Sequence, residues 1–296
     1  MIRYIIPLLL TALLYSSNTS SEAGMIPFDS PVGEIGGRGH WYTLRTMKGK
    51  DYWKDAAVLP DIRKNEDGTY SVLGEAPVSI VIVIHPEWYK GNEPWRHAID
   101  WFRQAEQIYR NSGVPVRFVI EDIVMWKDFP DTVYDALYAL DFDKYVHLGT
   151  GADMVVGLKP TMAGDPYCGV AWVGGRSNIS SCNPKVLAHE LGHNFGLRHA
   201  HQGGSEGHKG YCIRPEADAI DCYKGTIMSY AGSGRVPFFA ANGHTYDGDK
   251  LGTEEHTAVE HLRESVVDMA LKYEISQGQE FSLLTDVNRG DETLCR

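Results

Sequence analysis

The apolar positions change period several times along the chain, and each change predicts an element. Residues 78–85, VSIVIVIH, are dominated by β-branched side chains and predict a buried strand. Residues 94–113, PWRHAIDWFRQAEQIYRNSG, place Ala98, Phe102, Ala105, Ile108 and Tyr109 at helical spacing and close on Asn111-Ser112-Gly113, which ends a helix. In 114–126, VPVRFVIEDIVMW, Val116, Phe118 and Ile120 alternate as a strand, and DMVVGL (153–158) and CGVAWVGG (168–175) add two shorter ones. NPKVLAHELGHNFG (183–196) reads as a helix with Asn183 as N-cap and Pro184 in its first turn. A last helix, 253–273, sets Val259, Leu262, Val266, Met269 and Tyr273 on one face. Strand, helix, three strands and a helix, followed by irregular chain and a final helix, predict an α/β sheet with a less regular lower part. Residues 24–76 are rich in Gly, Asp and Lys, show weak periodicity, and read as an N-terminal arm or short pro-segment.

Composition narrows the function. With 43% hydrophobic and 23% charged residues the chain is of ordinary globular type, and a net charge of −11 argues against nucleic acid and anionic membranes as partners. At the N-terminus, Arg3, an apolar run from Ile5 to Tyr15 and Ser21-Glu22-Ala23 form the pattern of an export signal over residues 1–23, with a membrane anchor as the alternative. The run is too short to span a bilayer, so the expectation is a soluble monomer, secreted or periplasmic. The cysteines agree with an oxidising compartment: Cys168 with Cys182 and Cys212 with Cys222 form two close pairs, while Cys295 is left free or paired between chains. Spacing alone leaves the connectivity open.

The chemistry is concentrated in LAHELGHNFGLRH (187–199). His189 and His193 lie one helical turn apart, about 6 Å along the axis, and can point two imidazoles at one ion. His199 reaches the same ion only if the chain reverses after His193, and Gly196 is the residue able to take the left-handed conformation that ends a helix. Three nitrogens leave zinc one open position for water, the arrangement of a catalytic site. Glu190, beside the first ligand, is placed to accept the proton of that water and pass it to a leaving amine. A structural zinc site is a weaker alternative, since it leaves Glu190 without a role.

The pattern H-E-x-x-H-x-x-G-x-x-H resembles that of the metzincin zinc endopeptidases, and GTIMSYAG (225–232) resembles their Met-turn. The resemblance covers about residues 78–275 and is nearest the reprolysin or adamalysin-like branch, through IYRNSGVPVRF, YCGVAWVGG and the segment after the Met-turn. It implies a metzincin-like catalytic domain: a twisted, mostly parallel sheet with an antiparallel edge strand, an active-site helix, and an irregular lower subdomain. It implies Met228 as an apolar floor under the zinc and Tyr230 as an oxyanion stabiliser, a buried structural Tyr being the alternative. Gly169, Val170, Ala171 and Trp172 are the candidate edge strand for pairing an extended peptide, and Phe238 or Phe239 would set the depth of the pocket after the scissile bond.

Departures from the family pattern bear on the reading. Ala200 follows the third histidine where reprolysins carry Asp, which leaves the subfamily open. The short interval between Val173 and Pro184 leaves little room for a full fifth strand. No cysteine lies in 24–76, which excludes a cysteine-switch pro-segment; His40 and Asp29 are alternative latency ligands, better read as loop residues. His201 and His208 read as loop or cleft-rim residues, and His147, His256 and His261 as surface or helix residues. Asn178 opens a glycosylation sequon. Calcium has no readable signature. The expected parts are a signal (1–23), an arm or pro-segment (24–76), a catalytic domain (77–275) and a tail (276–296). The function read from these residues is zinc endopeptidase, with a catalytically silent zinc-holding binding module or a small-substrate amidase as the alternatives.

Overall fold

A computed structural model describes residues 41–44, 61–64, 70–73, 75–91, 93–126, 128–140, 152–161, 165–202, 207–214, 222–276 and 294–295. The export signal, Asp29, His40 and His147 lie outside the described residues. In chain order the first strands are β1 (Trp41–Leu44), β2 (Asp61–Lys64), β3 (Tyr70–Leu73) and β4 (Ala76–Ile84), followed by helix α1 (Pro94–Asn111) and strand β5 (Val116–Trp126). Helix α2 (Val133–Ala139) precedes β6 (Met154–Leu158), β7 (Gly169–Trp172), β8 (Ser177–Ser180) and helix α3 (Pro184–Asn194). The lower part holds short strands β9 (Cys212–Arg214), β10 (Lys224–Gly225), β11 (Thr245–Tyr246) and β12 (Asp249–Lys250), then helix α4 (Ala258–Ser276) and strand β13 (Leu294–Cys295).

The main sheet runs β1-β5-β4-β6-β8-β7-β13. Strand β4 is parallel to both β5 and β6, and β6 is parallel to β8, whereas β1 and β7 run antiparallel to their neighbours. The unbroken apolar run of β4 follows from its central place. Val78, Ile80, Ile82 and Ile84 enter the large core beneath α1, α3 and α4, while Val81 and Val83 enter the smaller core with Val133, Ala136 and Leu137 of α2. Helices thus cover both faces, as the α/β expectation required.

Tyr109 joins the helical layer. It is fully buried, its ring centroid lies 5.8 Å from that of Phe195 and 4.6 Å from that of Phe239, and its hydroxyl donates to Ala188 O at 3.2 Å. One side chain of α1 therefore fixes α3, the helix that carries the motif.

Several expectations need correction. A strand, β8, does fit between β7 and α3, with its polar sequence SNIS buried between two neighbours. Its backbone is satisfied by pairing on both sides, and polarity hid it from a periodicity reading. Asn178 is consequently inaccessible: it is fully buried and its Nδ2 donates to Asn194 Oδ1 at 2.7 Å, so the sequon is not a glycan site in the folded chain. Helix α4 begins at Ala258 rather than near 253, because Thr253 and His256 close a turn through Thr253 Oγ1 and His256 Nδ1 at 2.8 Å. His256 is a buried residue, not a surface one. Strand β7 is not the outermost strand over its whole length: Leu294 pairs opposite Trp172 and Cys295 opposite Ala171, antiparallel.

Replacing Tyr109 by Ala removes a buried aromatic that bridges two helices. We expect Tyr109→Ala to destabilise the protein by about 3–5 kcal/mol in urea unfolding, and Tyr109→Phe by about 1 kcal/mol.

Candidate metal centre

Helix α3 starts as its sequence predicts. Asn183 accepts from the backbone N–H groups of Lys185 and Val186 at 2.9 and 3.2 Å, and Pro184 occupies the first turn. Its other end is a Schellman motif: Leu197 N–H bonds Gly192 O at 2.9 Å and Gly196 N–H bonds His193 O at 2.8 Å. Gly196 has φ +92°, and a Cβ there would also meet His261 Nε2 at 2.8 Å, so both conformation and space demand glycine. His261 is half-buried and serves this turn, its Nε2 donating to Phe195 O at 2.8 Å. It is a helix residue, one of the two readings its sequence offered, and braces the turn from α4.

The reversal brings His199 to the pair on the helix. The Nε2 atoms of His189 and His193 are 3.1 Å apart, those of His189 and His199 3.1 Å, and those of His193 and His199 3.0 Å. The opposite edges of the rings are committed. His189 Nδ1 lies 2.7 Å from Ile227 O and His193 Nδ1 2.7 Å from Leu197 O, and a carbonyl only accepts, so both Nδ1 atoms carry hydrogen. His199 Nδ1 faces the Tyr230 hydroxyl at 3.1 Å. The unprotonated Nε2 atoms of His189 and His193 therefore converge with His199 Nε2 on one point in a buried site, an arrangement suited to a cation. The spacing suits an ion about 2.0–2.1 Å from each nitrogen, the length of a zinc–imidazole bond. Burial lowers the pKa of all three rings, His193 to about 4, with Arg235 acting in the same direction on each. The rings are neutral at neutral pH, the state that binds metal.

Met228 is fully buried against α3; a Cβ on Gly192 would meet its Sδ at 2.7 Å, so this glycine of the motif makes room for the thioether. Met228 O accepts from Ala200 N–H at 3.2 Å and Gln202 Oε1 from His199 N–H at 3.0 Å, which hold the third ligand's strand.

Glu190 is buried beside the triad. Burial pushes its carboxyl up to about 8, with Arg235 opposing. A Cβ on Gly169 would stand 2.5 Å from Glu190 Oε1, so β7 passes directly against this carboxylate. Asn194 ties the β7–β8 hairpin to the helix, donating to Trp172 O at 3.1 Å and Ser177 O at 2.9 Å. The start of β7 is tied by the Cys168–Cys182 disulfide, and Cys212–Cys222 closes the lower β9–β10 pair. Buried Lys159 holds Asp165, at the mouth of the same segment, at 3.2 Å.

These groups line a cleft of about 680 Å³ that also takes in Val186, His201, Gln202, Tyr230 and Arg235. The Tyr230 ring is tilted against that of His199 with centroids 4.3 Å apart, so its phenol sits behind a ligand. Of the candidate edge residues only Gly169 lines the cleft; Val170 packs in the smaller core, Ala171 is buried and Trp172 is half-buried. His201 is a rim residue as expected, and His208 stacks on His261 outside the cleft at 3.9 Å. Neither Phe238 nor Phe239 reaches the cleft. Phe239 packs in the core on Tyr109, and Phe238 lies 4.9 Å from Tyr246. Arg235 lines the cleft and was not singled out in the sequence, where an arginine in a glycine-rich loop carries no periodic signal. Asn194 and Gly192 were missed for a similar reason: their value lies in distant partners.

A helix-and-turn set of three histidines with an adjacent glutamate, set against an α/β sheet, defines a zinc metallopeptidase centre. Residues 87–240 match the family model Reprolysin_5, metallo-peptidase family M12, and the chain belongs to that family. In fold it is similar to a chain in a solved chaperone–substrate complex, with TM-score 0.54 and 21% identity over 72% of this chain; it spans 37% of that chain's length. Looser likenesses are to archaemetzincin from Methanopyrus kandleri (TM-score 0.37, 17% identity, 64% of this chain and 96% of that one) and metalloproteinase-II from Bacteroides fragilis (0.36, 14%, 56% and 50%). A comparison with curated proteins found no match.

The lowered histidine pKa values set a sign for pH. In the metal-free protein the rings stay neutral where an unfolded histidine, at 6.5, protonates; their contribution to stability is present above 6.5 and is lost as pH falls toward the folded value, about 4 for His193. Chelator-treated protein should therefore show a falling unfolding midpoint from pH 7 to 4.5, and saturating zinc should move that fall to lower pH.

Proposed function

We propose that the protein is an exported zinc endopeptidase of metzincin type, with Glu190 as general base and then general acid. The observation that carries this reading is the buried Glu190 carboxylate against the start of β7, in the cleft that the three converged histidines also line. Zinc, when bound, supplies a water whose pKa falls from 15.7 toward about 7 and polarises the peptide carbonyl. Glu190 is the residue that would accept a proton from the attacking water and pass it to the leaving amine. Its raised proton affinity suits both halves, because a group near 8 accepts a proton and releases it again around neutral pH. His189, His193 and His199 hold the metal, Met228 fills the space below, and Gly196 permits the turn. Tyr230 orients His199 in this geometry; a role on the developing oxyanion requires its phenol to leave His199 Nδ1.

The peptide is held by main-chain pairing along the side of Gly169–Trp172 opposite β8, where β13 pairs only with Ala171 and Trp172. The same side accepts Leu294–Cys295 antiparallel, so the edge takes a strand of that direction. Two disulfides accord with an oxidising compartment, and residues 1–23 are read as the signal that leads there. We assign 24–76 to an arm or pro-segment, 77–275 to the catalytic domain and 276–296 to a tail.

Zinc-loaded protein should cleave a quenched-peptide library, and Glu190→Gln with equal zinc content should lose at least about 10²-fold in kcat. Equal cleavage by both removes Glu190 from this role. Deleting residues 277–296 is expected to lower KM for peptides by about threefold or more, since the deleted strand and the substrate pair with the same edge. An unchanged KM would place the peptide elsewhere.

A further inference from the structure

Arg235 stands in the cleft with its charge uncommitted. Its backbone is pinned: Val236 N–H bonds Gly225 O at 2.8 Å, and the Arg235 carbonyl accepts from Lys185 Nζ on the first turn of α3. Its Nε donates to Ser229 O at 2.9 Å. The two terminal guanidinium nitrogens make no hydrogen bond and no ion pair among the described residues, and no other Lys or Arg lines the cleft. Arg235 feels Glu190 as its leading charged neighbour and is itself felt by all three histidines, so it lies close to the reacting centre.

Its side of the cleft follows from chain direction. Strand β13 runs from Leu294, opposite Trp172, to Cys295, opposite Ala171, and so heads toward Gly169. A peptide laid the same way passes Glu190 at Gly169, and its residues beyond the scissile bond meet Cys168 and Pro166. Val186 and the Lys185-tethered Arg235 lie at that end, one helical turn before His189 and Glu190. A fixed guanidinium with free donors in a half-buried pocket matches a carboxylate, which it can grip through two parallel N–H···O bonds.

We propose that Arg235 selects substrates bearing a carboxylate just after the scissile bond, either an Asp or Glu side chain or the C-terminus of the substrate itself. This rests on the peptidase reading. The side-chain source makes the enzyme an endopeptidase with an acidic preference; the terminal source makes it a carboxypeptidase.

The test uses the zinc-loaded full chain and Arg235→Met, matched for zinc content. One pair of peptides, amidated at the C-terminus, differs only by Glu or Gln after the cleaved bond, which is located by mass spectrometry. A second pair has a neutral residue there and ends in a free or an amidated terminus. Turnover is read as kcat/KM, and binding of the same peptides is read as Kd on Glu190→Gln. The wild type should favour one carboxylate form over its neutral partner by about tenfold or more, and Arg235→Met should bring that ratio near one, whatever its effect on turnover of the neutral peptides. Arg235→Lys should keep part of the preference, which covers failure of the Met variant to fold. No discrimination in either pair, or an equal loss on every peptide with the ratio unchanged, overturns the proposal. Binding discrimination without hydrolysis by the wild type would retain Arg235 as the carboxylate reader and sink the peptidase reading alone.

Discussion

Three imidazole Nε2 atoms are held about 3 Å apart inside the protein, and much of the structure around them keeps them there. Backbone carbonyls at Ile227 and Leu197 fix the tautomers of His189 and His193, and Tyr230 stands behind His199. These outer partners come from two separate pieces of chain: Leu197 just past the end of α3, and the 227–230 stretch around Met228. The centre is assembled by convergence, and the metal supplies the free energy that offsets the crowding of donors.

That convergence depends on one turn. The Schellman closure at Gly196 reverses the chain so that His199 faces back, and His261 from α4 closes over the turn where any side chain on Gly196 would stand. Helix α3 in turn is positioned by Tyr109 from α1 and by the Asn183 cap, so ligand geometry is linked to packing of the helical layer. Gly192 and Met228 continue the same logic below the site, where a missing Cβ admits a thioether.

The cleft walls are tied to the same helix. Asn194 and the Cys168–Cys182 bridge hold the β7–β8 hairpin against α3, so the strand that would hold substrate and the groups that would act on it move as one body. Lys185 carries the tie to the other wall, at Arg235. Such a scaffold suits a site in which charge must be placed within fractions of an ångström.

Much of this was legible in the chain itself. Local rules act through neighbours in sequence, so the helix of the motif, its Asn183-Pro184 start, its Gly196 stop and the three ligands could be read from spacing, and the apolar run of 78–85 marked the central strand. The pairing of cysteines also agreed with proximity in sequence. Strand β8 was hidden, because polar SNIS becomes a buried strand only when β6 and β7 satisfy its backbone from both sides. The depth of the pocket was assigned to Phe238 and Phe239, since apolar residues beside a Met-turn suggest a pocket; packing sends them to Tyr246 and Tyr109 and leaves Arg235 facing the cleft. Sequence alone determined which residues have the chemistry and where the backbone must turn. The tertiary structure decided what each polar side chain faces, because hydrogen bonds and burial between residues far apart in the chain leave no periodic trace in it.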